Sequence, residues 1–255
     1  MSEAILQASG VSKSFGGLRA VADFSLDLPA RGLYGLIGPN GAGKTTVFNL
    51  LTGVYSPSEG EIRLGGSSLL GLKPHKRAAV GLARTFQNIR LFTELSVLDN
   101  VKIACHLRTH HGMAGAILRS QHHLREERDI TRRSMELLEV FGLVDRAGDD
   151  ARNLPYGDQR RLEIARALAT EPKCLLLDEP AAGMNPQEKV DLRKLIHHIR
   201  ERFAVAILLI EHDMGVVMNL CEHITVLNFG QTIAAGTPQA VQSDPKVIEA
   251  YLGTE

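Results

Sequence analysis

Phe24, Leu26 and Leu28 alternate with polar residues, and Ile62 and Leu64 do the same further on, with Gly and Pro between the two runs. A period of two with one apolar face predicts antiparallel strands that keep one side wet. Residues 33–37, 174–177 and 204–210 read differently. They are short, nearly continuous apolar runs, the pattern of strands covered on both faces in a parallel sheet, and together they predict an α/β core.

Strand signals vanish between the two halves of that core. From about residue 88 to 169, charges of both signs crowd together, as in Arg125-Glu126-Glu127-Arg128-Asp129, and the stretch reads as a helical subdomain. Leu137, Leu138 and Phe141 repeat at helical spacing ahead of Gly142, a helix-terminating glycine. Ser96 with Asp99 three residues on resembles a capping box that starts a helix through Val101. Asp244-Pro245 can cap and open a last helix that stops at Gly253.

Charge and cysteine content narrow the function classes. Lys plus Arg and Asp plus Glu both number 29, so no whole-protein field draws in nucleic acid or an anionic membrane. Cys105, Cys174 and Cys221 lack paired spacing, which fits a reducing compartment, and Cys174 reads as a small buried hydrophobe. The Met1-Ser2-Glu3-Ala4 start has no basic region followed by an apolar one, so no signal peptide is expected, and the run 204–210 is too short to span a bilayer.

Gly38-Pro39-Asn40-Gly41-Ala42-Gly43-Lys44-Thr45 satisfies G-x-x-x-x-G-K-[ST], directly after the apolar run 33–37 and before the helical run 47–51. Glycines let backbone N–H groups converge on phosphate oxygens, and the helix N-terminus adds its positive dipole. Lys44 supplies a cation, Thr45 offers a hydroxyl to Mg²⁺, and Thr46 closes the cradle. A chance glycine-rich turn of this form arises on the order of once in a hundred chains of this length, and the strand and helix around it make chance a poorer account still.

Residues 174–177 run into Asp178 and Glu179, and ligands of open α/β sheets bind beyond the carboxyl ends of strands. Adjacent strand residues point to opposite sides, so Asp178 can face the metal while Glu179 is suited to orient or deprotonate an attacking water. Alone, Asp-Glu after a strand usually marks a solvated turn; beside the phosphate loop it reads as chemistry.

The order of phosphate loop, "ARTFQNIRLF", "LPYGDQRRLEIARAL", "LLLDEPAAGMNP" and "LLIEHDM" resembles the ABC transporter ATPases over essentially the whole chain. These versions, with the ending "GTPQAVQSDPKVIEAYLG", most resemble the ATP-binding subunits of the high-affinity branched-chain amino acid importers. The resemblance implies a P-loop NTPase (RecA-like) α/β core with an antiparallel β subdomain, spanning 1–87 and 170–255, and a helical signature subdomain over 88–169. It implies ATP as substrate and Mg²⁺ as cofactor. Phe15 would stack on adenine with Val21 beside it, against the alternative of an ordinary core Phe. Gln87 would reach the metal and the water, His212 would contact the γ-phosphate, and Tyr156, Gly157 and Asp158 would form the signature loop that meets the γ-phosphate held by a second subunit. Two departures stand out: Pro155 where a serine is common, and Asn185 where an aspartate is usual.

Implied partners are a second ATPase, identical or a sister chain, integral-membrane permeases, and indirectly a periplasmic solute-binding protein, with no nucleic acid. The implied location is peripheral, on the cytoplasmic face of a bacterial inner membrane. Residues 89–95 are unusually apolar for a connection and read as the permease-docking segment. His106, His110, His111, His122 and His123 include an i, i+4 pair but have no Cys or carboxylate at ligand spacing, so they read as a solvated helical face. The alternative function is a non-transport ABC ATPase acting on nucleic acid; the coiled coil, tandem cassettes or basic surface of that class are not visible here.

Overall fold

A computed structural model describes residues 4–108 and 121–252 of the chain. The elements run β1 (Ala4–Phe15), β2 (Leu18–Pro29), β3 (Leu33–Ile37), α1 (Lys44–Thr52), β4 (Glu59–Leu64), β5 (Ser67–Ser68), α2 (Pro74–Val80) and β6 (Leu82–Arg84). Helices α3 (Val97–Cys105), α4 (Gln121–Val140) and α5 (Tyr156–Leu168) follow. The chain then forms β7 (Cys174–Asp178), α6 (Pro186–Phe203), β8 (Ala206–Ile210), α7 (Met214–Leu220), β9 (His223–Asn228), β10 (Gln231–Gly236), α8 (Pro238–Gln242) and α9 (Pro245–Leu252). Two compact units result, Met1–Gln87 with Lys173–Glu255 and Asn88–Pro172.

The first unit holds both sheets. In the antiparallel sheet, ordered β2-β1-β4-β5, Ala8 pairs with Leu26 on one side and Ile62 on the other, which puts the alternating apolar residues of all three strands on one buried face. The apolar pattern of β1 slips by one residue between Ala8 and Val11. A bulge there, with Gly10 at φ +60°, absorbs the extra residue and turns Val11 back inward.

The second sheet has the order β10-β9-β3-β8-β7-β6; β3 and β6 to β9 are parallel and β10 is an antiparallel edge. Every residue of β7 and β8 is buried, as their unbroken apolar runs require. Only β8 separates β3 from β7, so the loop after β3 and the acids after β7 leave the same edge of the sheet about 10 Å apart. The strand expected over 204–210 is shorter than its apolar run. Ala204, at φ +50°, ends α6, and β8 begins at Ala206.

In the second unit, Ser96 caps α3 by accepting the Asp99 N–H at 3.0 Å. The expected return bond is redirected: the Asp99 carboxylate takes the Ser96 hydroxyl instead of its backbone N–H. Helix α4 ends in a Schellman motif, with Gly142 at φ +66°, its N–H on the Glu139 carbonyl and the Leu143 N–H on the Leu138 carbonyl. Pro155 sits at the N-cap of α5 rather than inside its first turn, and Asn185 makes a full capping box with Glu188 at the start of α6. Asp244 caps α9 through the Lys246 N–H. Gly253, His110 and His111 lie outside the described residues, as do the side chains of His122 and His123. His106 is not purely solvated: its Nε2 lies 3.5 Å from a Glu127 oxygen.

Candidate functional site

The phosphate loop is built by close approach. Gly38 follows β3 at φ +150°, and a Cβ there would stand 2.1 Å from the Leu227 carbonyl oxygen of β9; one on Gly43, at φ +102°, would stand 2.8 Å from the Ala20 carbonyl oxygen. Only glycine fits either place. The far side is pinned by Gly230 in the β9–β10 turn, which donates to the Ala42 carbonyl at 2.9 Å and accepts the Ala22 N–H at 2.8 Å. Nothing local in the sequence marks Gly230 as part of this loop. Pro39 is half-buried, Asn40 and Gly41 are exposed, and Ala42 is buried. Val21 is fully buried with a methyl 3.7 Å from where a Gly43 Cβ would be, so it packs under the loop and presents no surface beside Phe15. Phe15 itself stands outside the core, 41% exposed, edge-on to Tyr55 with ring centroids 5.1 Å apart and with the Lys13 ammonium over its ring.

Lys44 and Thr45 open α1. The Lys44 ammonium is buried and donates to the Gly38 and Pro39 carbonyls at 2.6 and 3.0 Å. Burial pushes its pKa below the ordinary lysine value, against the opposing pull of Glu179 and Asp178. Thr45 is exposed and Thr46 half-buried on the same first turn.

The two acids are separated, though not by strand alternation. Asp178 ends β7, 4% exposed, with one carboxylate oxygen 2.6 Å from an Arg84 nitrogen. Glu179 keeps the ladder with its N–H on the Ile210 carbonyl at 2.9 Å, then leaves the strand at φ +46°. A left-handed glutamate is strained, and the turn swings its carboxylate to a different set of neighbours. Its Oε2 accepts the Gln87 side-chain N–H at 2.8 Å and lies 3.6 Å from His212 Nδ1. The structure thus brings Lys44, Gln87, Asp178, Glu179 and His212 to one edge of one sheet.

Nothing in the local sequence marks Glu211 as part of the site. Fully buried at the end of β8, it accepts the Ala181 N–H at 2.7 Å and the His212 N–H at 3.2 Å, tying the turn after Glu179 to the base of His212. Burial raises its pKa, and the N–H groups of Ala181, Asp213 and His212 with the His212 ring pull it back. Asp213 caps α7, and its hydrogen bond from Lys189 holds its carboxyl below the ordinary range.

In the second unit, Tyr156, Gly157 and Asp158 form the first turn of α5, where an acid favours the dipole. Tyr156 is exposed, and Arg160 donates to its hydroxyl at 3.2 Å. Arg160 is fully buried and paired with Glu163 at 2.9 Å; Glu163 in turn accepts the Arg90 backbone N–H at 3.2 Å. The segment 89–95 is therefore tied to the start of α5 through one carboxylate. Asn100, also buried, brackets Phe92 by accepting its N–H and donating to its carbonyl, while the Phe92 ring remains 49% exposed.

Oxygens that would be available to hold a metal there are the Thr45 hydroxyl, the Asp178 carboxylate and the Gln87 amide oxygen. An all-oxygen set fits a hard ion such as Mg²⁺. Among the described residues no three His, Cys, Asp or Glu side chains gather as a metal site, and no helix is long and apolar enough to cross a membrane.

A strand–loop–helix phosphate cradle facing paired acids across a parallel sheet, joined to an antiparallel β sheet and a separate helical unit, defines a P-loop ATPase. The chain belongs to the ABC transporter family: residues 21–182 match the family model described as ABC transporter. Residues 231–255 match a second, described as branched-chain amino acid ATP-binding cassette transporter. The chain is 46% identical over 253 residues to the high-affinity branched-chain amino acid transport ATP-binding protein BraF of Pseudomonas aeruginosa, covering 99% of each. It is equally 46% identical over 253 residues, and 99% of each, to LivG of Escherichia coli strain K12, which bears the same description. Among solved structures it resembles the ADP conformation of MJ1267, an ATP-binding cassette of an ABC transporter, with a TM-score of 0.85 at 28% identity over 99% of this chain and 100% of that one. As a member of this family it binds nucleotide and hydrolyses ATP.

Proposed function

We propose that the chain energises import of branched-chain amino acids, or a closely related small solute, as the ATP-hydrolysing subunit of a membrane transporter. The observation that carries this is the convergence on Glu179: one carboxylate oxygen is held by Gln87 and faced by His212, beside the phosphate loop and Asp178. The likeness to BraF and LivG over the full chain supports the choice of solute, and no observation favours the nucleic-acid alternative.

In this reading the loop from Gly38 to Thr46 cradles the phosphates, Lys44 swings from its two carbonyls to the phosphate oxygens, and the exposed Phe15 ring receives the adenine. Thr45, Asp178 and Gln87 would hold Mg²⁺, which would supply neutralisation of phosphate charge and stabilisation of the leaving group. Glu179 accepts a proton from water, and His212 and Gln87 keep its carboxylate aimed. The first turn of α5, Tyr156 to Asp158, meets the γ-phosphate held by a second subunit, identical or sister. With Pro155 at the N-cap and no hydroxyl there, that contact rests on the backbone N–H groups of the turn. Residues 89–95 dock a permease through Leu91 and the exposed Phe92, on the cytoplasmic side of the membrane.

Proteoliposomes containing the chain with its permeases and a solute-binding protein provide the test. Leucine, isoleucine or valine with the binding protein should raise ATP hydrolysis and drive labelled uptake. ATP hydrolysis indifferent to all three, with a permease cysteine that never crosslinks to a cysteine placed at Leu91, would refute the solute and the docking assignment together.

A further inference from the structure

Nothing in the sequence around Arg84 marks it as functional. It ends the edge strand β6, in register with Leu176 of β7, and its side chain is almost wholly buried. One terminal nitrogen donates to Asp178 Oδ2 at 2.6 Å. The other donates to the Asn49 side-chain oxygen at 2.7 Å and lies 3.4 Å from the Thr52 hydroxyl, both on α1. Its guanidinium is 5.4 Å from the Phe48 ring centroid and 5.1 Å from that of Phe86. No hydrogen bond reaches its buried Nε.

The placement of Asn49 gives these contacts meaning. Thr45 and Asn49 are four residues apart on α1 and share a face, one turn or about 5–6 Å apart. Arg84 thus spans from the helix face that carries the Thr45 hydroxyl to the strand tip that carries the Asp178 carboxylate. A planar fork lying over two aromatic rings bonds both ends in a fixed geometry, which a lysine ammonium, a point charge on a flexible stem, does not. It also occupies one carboxylate oxygen, so Asp178 offers the other. Charge alone argues against an electrostatic benefit: a cation next to a metal ligand repels the metal. A residue that opposes the metal's charge yet is gripped by five side chains serves geometry.

We propose that Arg84 is a positioning residue that fixes the spacing between the Thr45 hydroxyl and the Asp178 carboxylate, and thereby sets the affinity of that pair for a divalent cation. The proposal rests on the reading of Thr45 and Asp178 as Mg²⁺ ligands. The test titrates the purified full chain with a fluorescent ATP analogue, in EDTA and across a Mg²⁺ series, with melting curves recorded for each variant. Arg84→Gln should leave affinity in EDTA within about twofold of the parent and raise the Mg²⁺ needed for half-maximal tightening about 10- to 100-fold, the usual effect of losing a residue that orients a metal ligand. Arg84→Lys should fall between, because one ammonium cannot serve Asn49 and Asp178 together. Placed in an Asp178→Asn background, Arg84→Lys should move the Mg²⁺ requirement by no more than about twofold, since the ligand it orients is gone.

A Mg²⁺ requirement unchanged in Arg84→Lys, or shifted as far with Asp178 replaced as without, overturns the proposal; if Arg84→Gln does not fold, Arg84→Lys decides by the same criterion. Should the parent bind the analogue equally in EDTA and Mg²⁺, the metal reading of the site fails, a result distinct from failure of the Arg84 assignment.

Discussion

Replacing Glu179 by Gln tests the catalytic assignment most directly, because the structure limits what else the change can do. The turn at φ +46° is a backbone feature that the amide inherits, and its oxygen can still accept the Gln87 N–H now at 2.8 Å. Position is therefore kept and proton affinity is lost. Loss of a general base slows the chemical step about 10²- to 10⁴-fold, which at about 1.4 kcal/mol per decade raises the barrier by about 3 to 5.5 kcal/mol. Binding should move the other way. Removing a negative charge from the phosphate side lowers repulsion toward ATP, so affinity should hold or rise. Phosphate release under saturating Mg·ATP measures the first effect and equilibrium titration with ATP the second. A turnover within about fivefold of the parent would refute the role of Glu179 as base. A large loss of ATP affinity with a matching loss of rate would instead make the carboxylate a structural tie between Gln87 and His212.

Three further substitutions probe the supports of the site. Gly38→Ala forces a Cβ to 2.1 Å from the Leu227 carbonyl; unfolding in urea should show a loss of at least about 3 kcal/mol, with nucleotide binding abolished in whatever folds. Glu163→Ala removes the carboxylate that balances the charge of the buried Arg160 guanidinium, leaving it the neutral Tyr156 hydroxyl, costing about 3–5 kcal/mol, whereas joint replacement of Arg160 by Met and Glu163 by Leu should recover most of it, as judged by thermal melts. Lys189→Met removes the ammonium that lowers the Asp213 pKa from 3.8. A carboxyl depressed in the folded state stabilises above its unfolded pKa, so the variant should be less stable at neutral pH by a solvent-screened amount of about 0.5 kcal/mol, and the gap should close as pH falls below 3.8 through the folded value. A gap that persists in acid would assign the loss to packing of the lysine stem.

The sequence by itself determined the features written in adjacent residues. Alternation over Phe24, Leu26 and Leu28 and the unbroken run before Asp178 dictated two kinds of sheet, because burial on one face or both sets which positions must be apolar. The phosphate loop was legible because its glycines, Lys44 and Thr45 act through backbone conformation and a helix end, both local. What only the tertiary structure decided are couplings between distant positions. Arg84 meets Asp178 across 94 residues, Gly230 reaches from a far hairpin to lock Ala42, and the buried Glu211 holds Ala181 across 30. An arginine at a strand end or a glycine in a turn carries no trace of its partner. Even Glu179, plain in the sequence as an acid after a strand, gained its orientation from a left-handed turn that strand periodicity does not show. Composition and pattern fix which residues must leave water; which polar groups meet there depends on how strands far apart in sequence are ordered side by side.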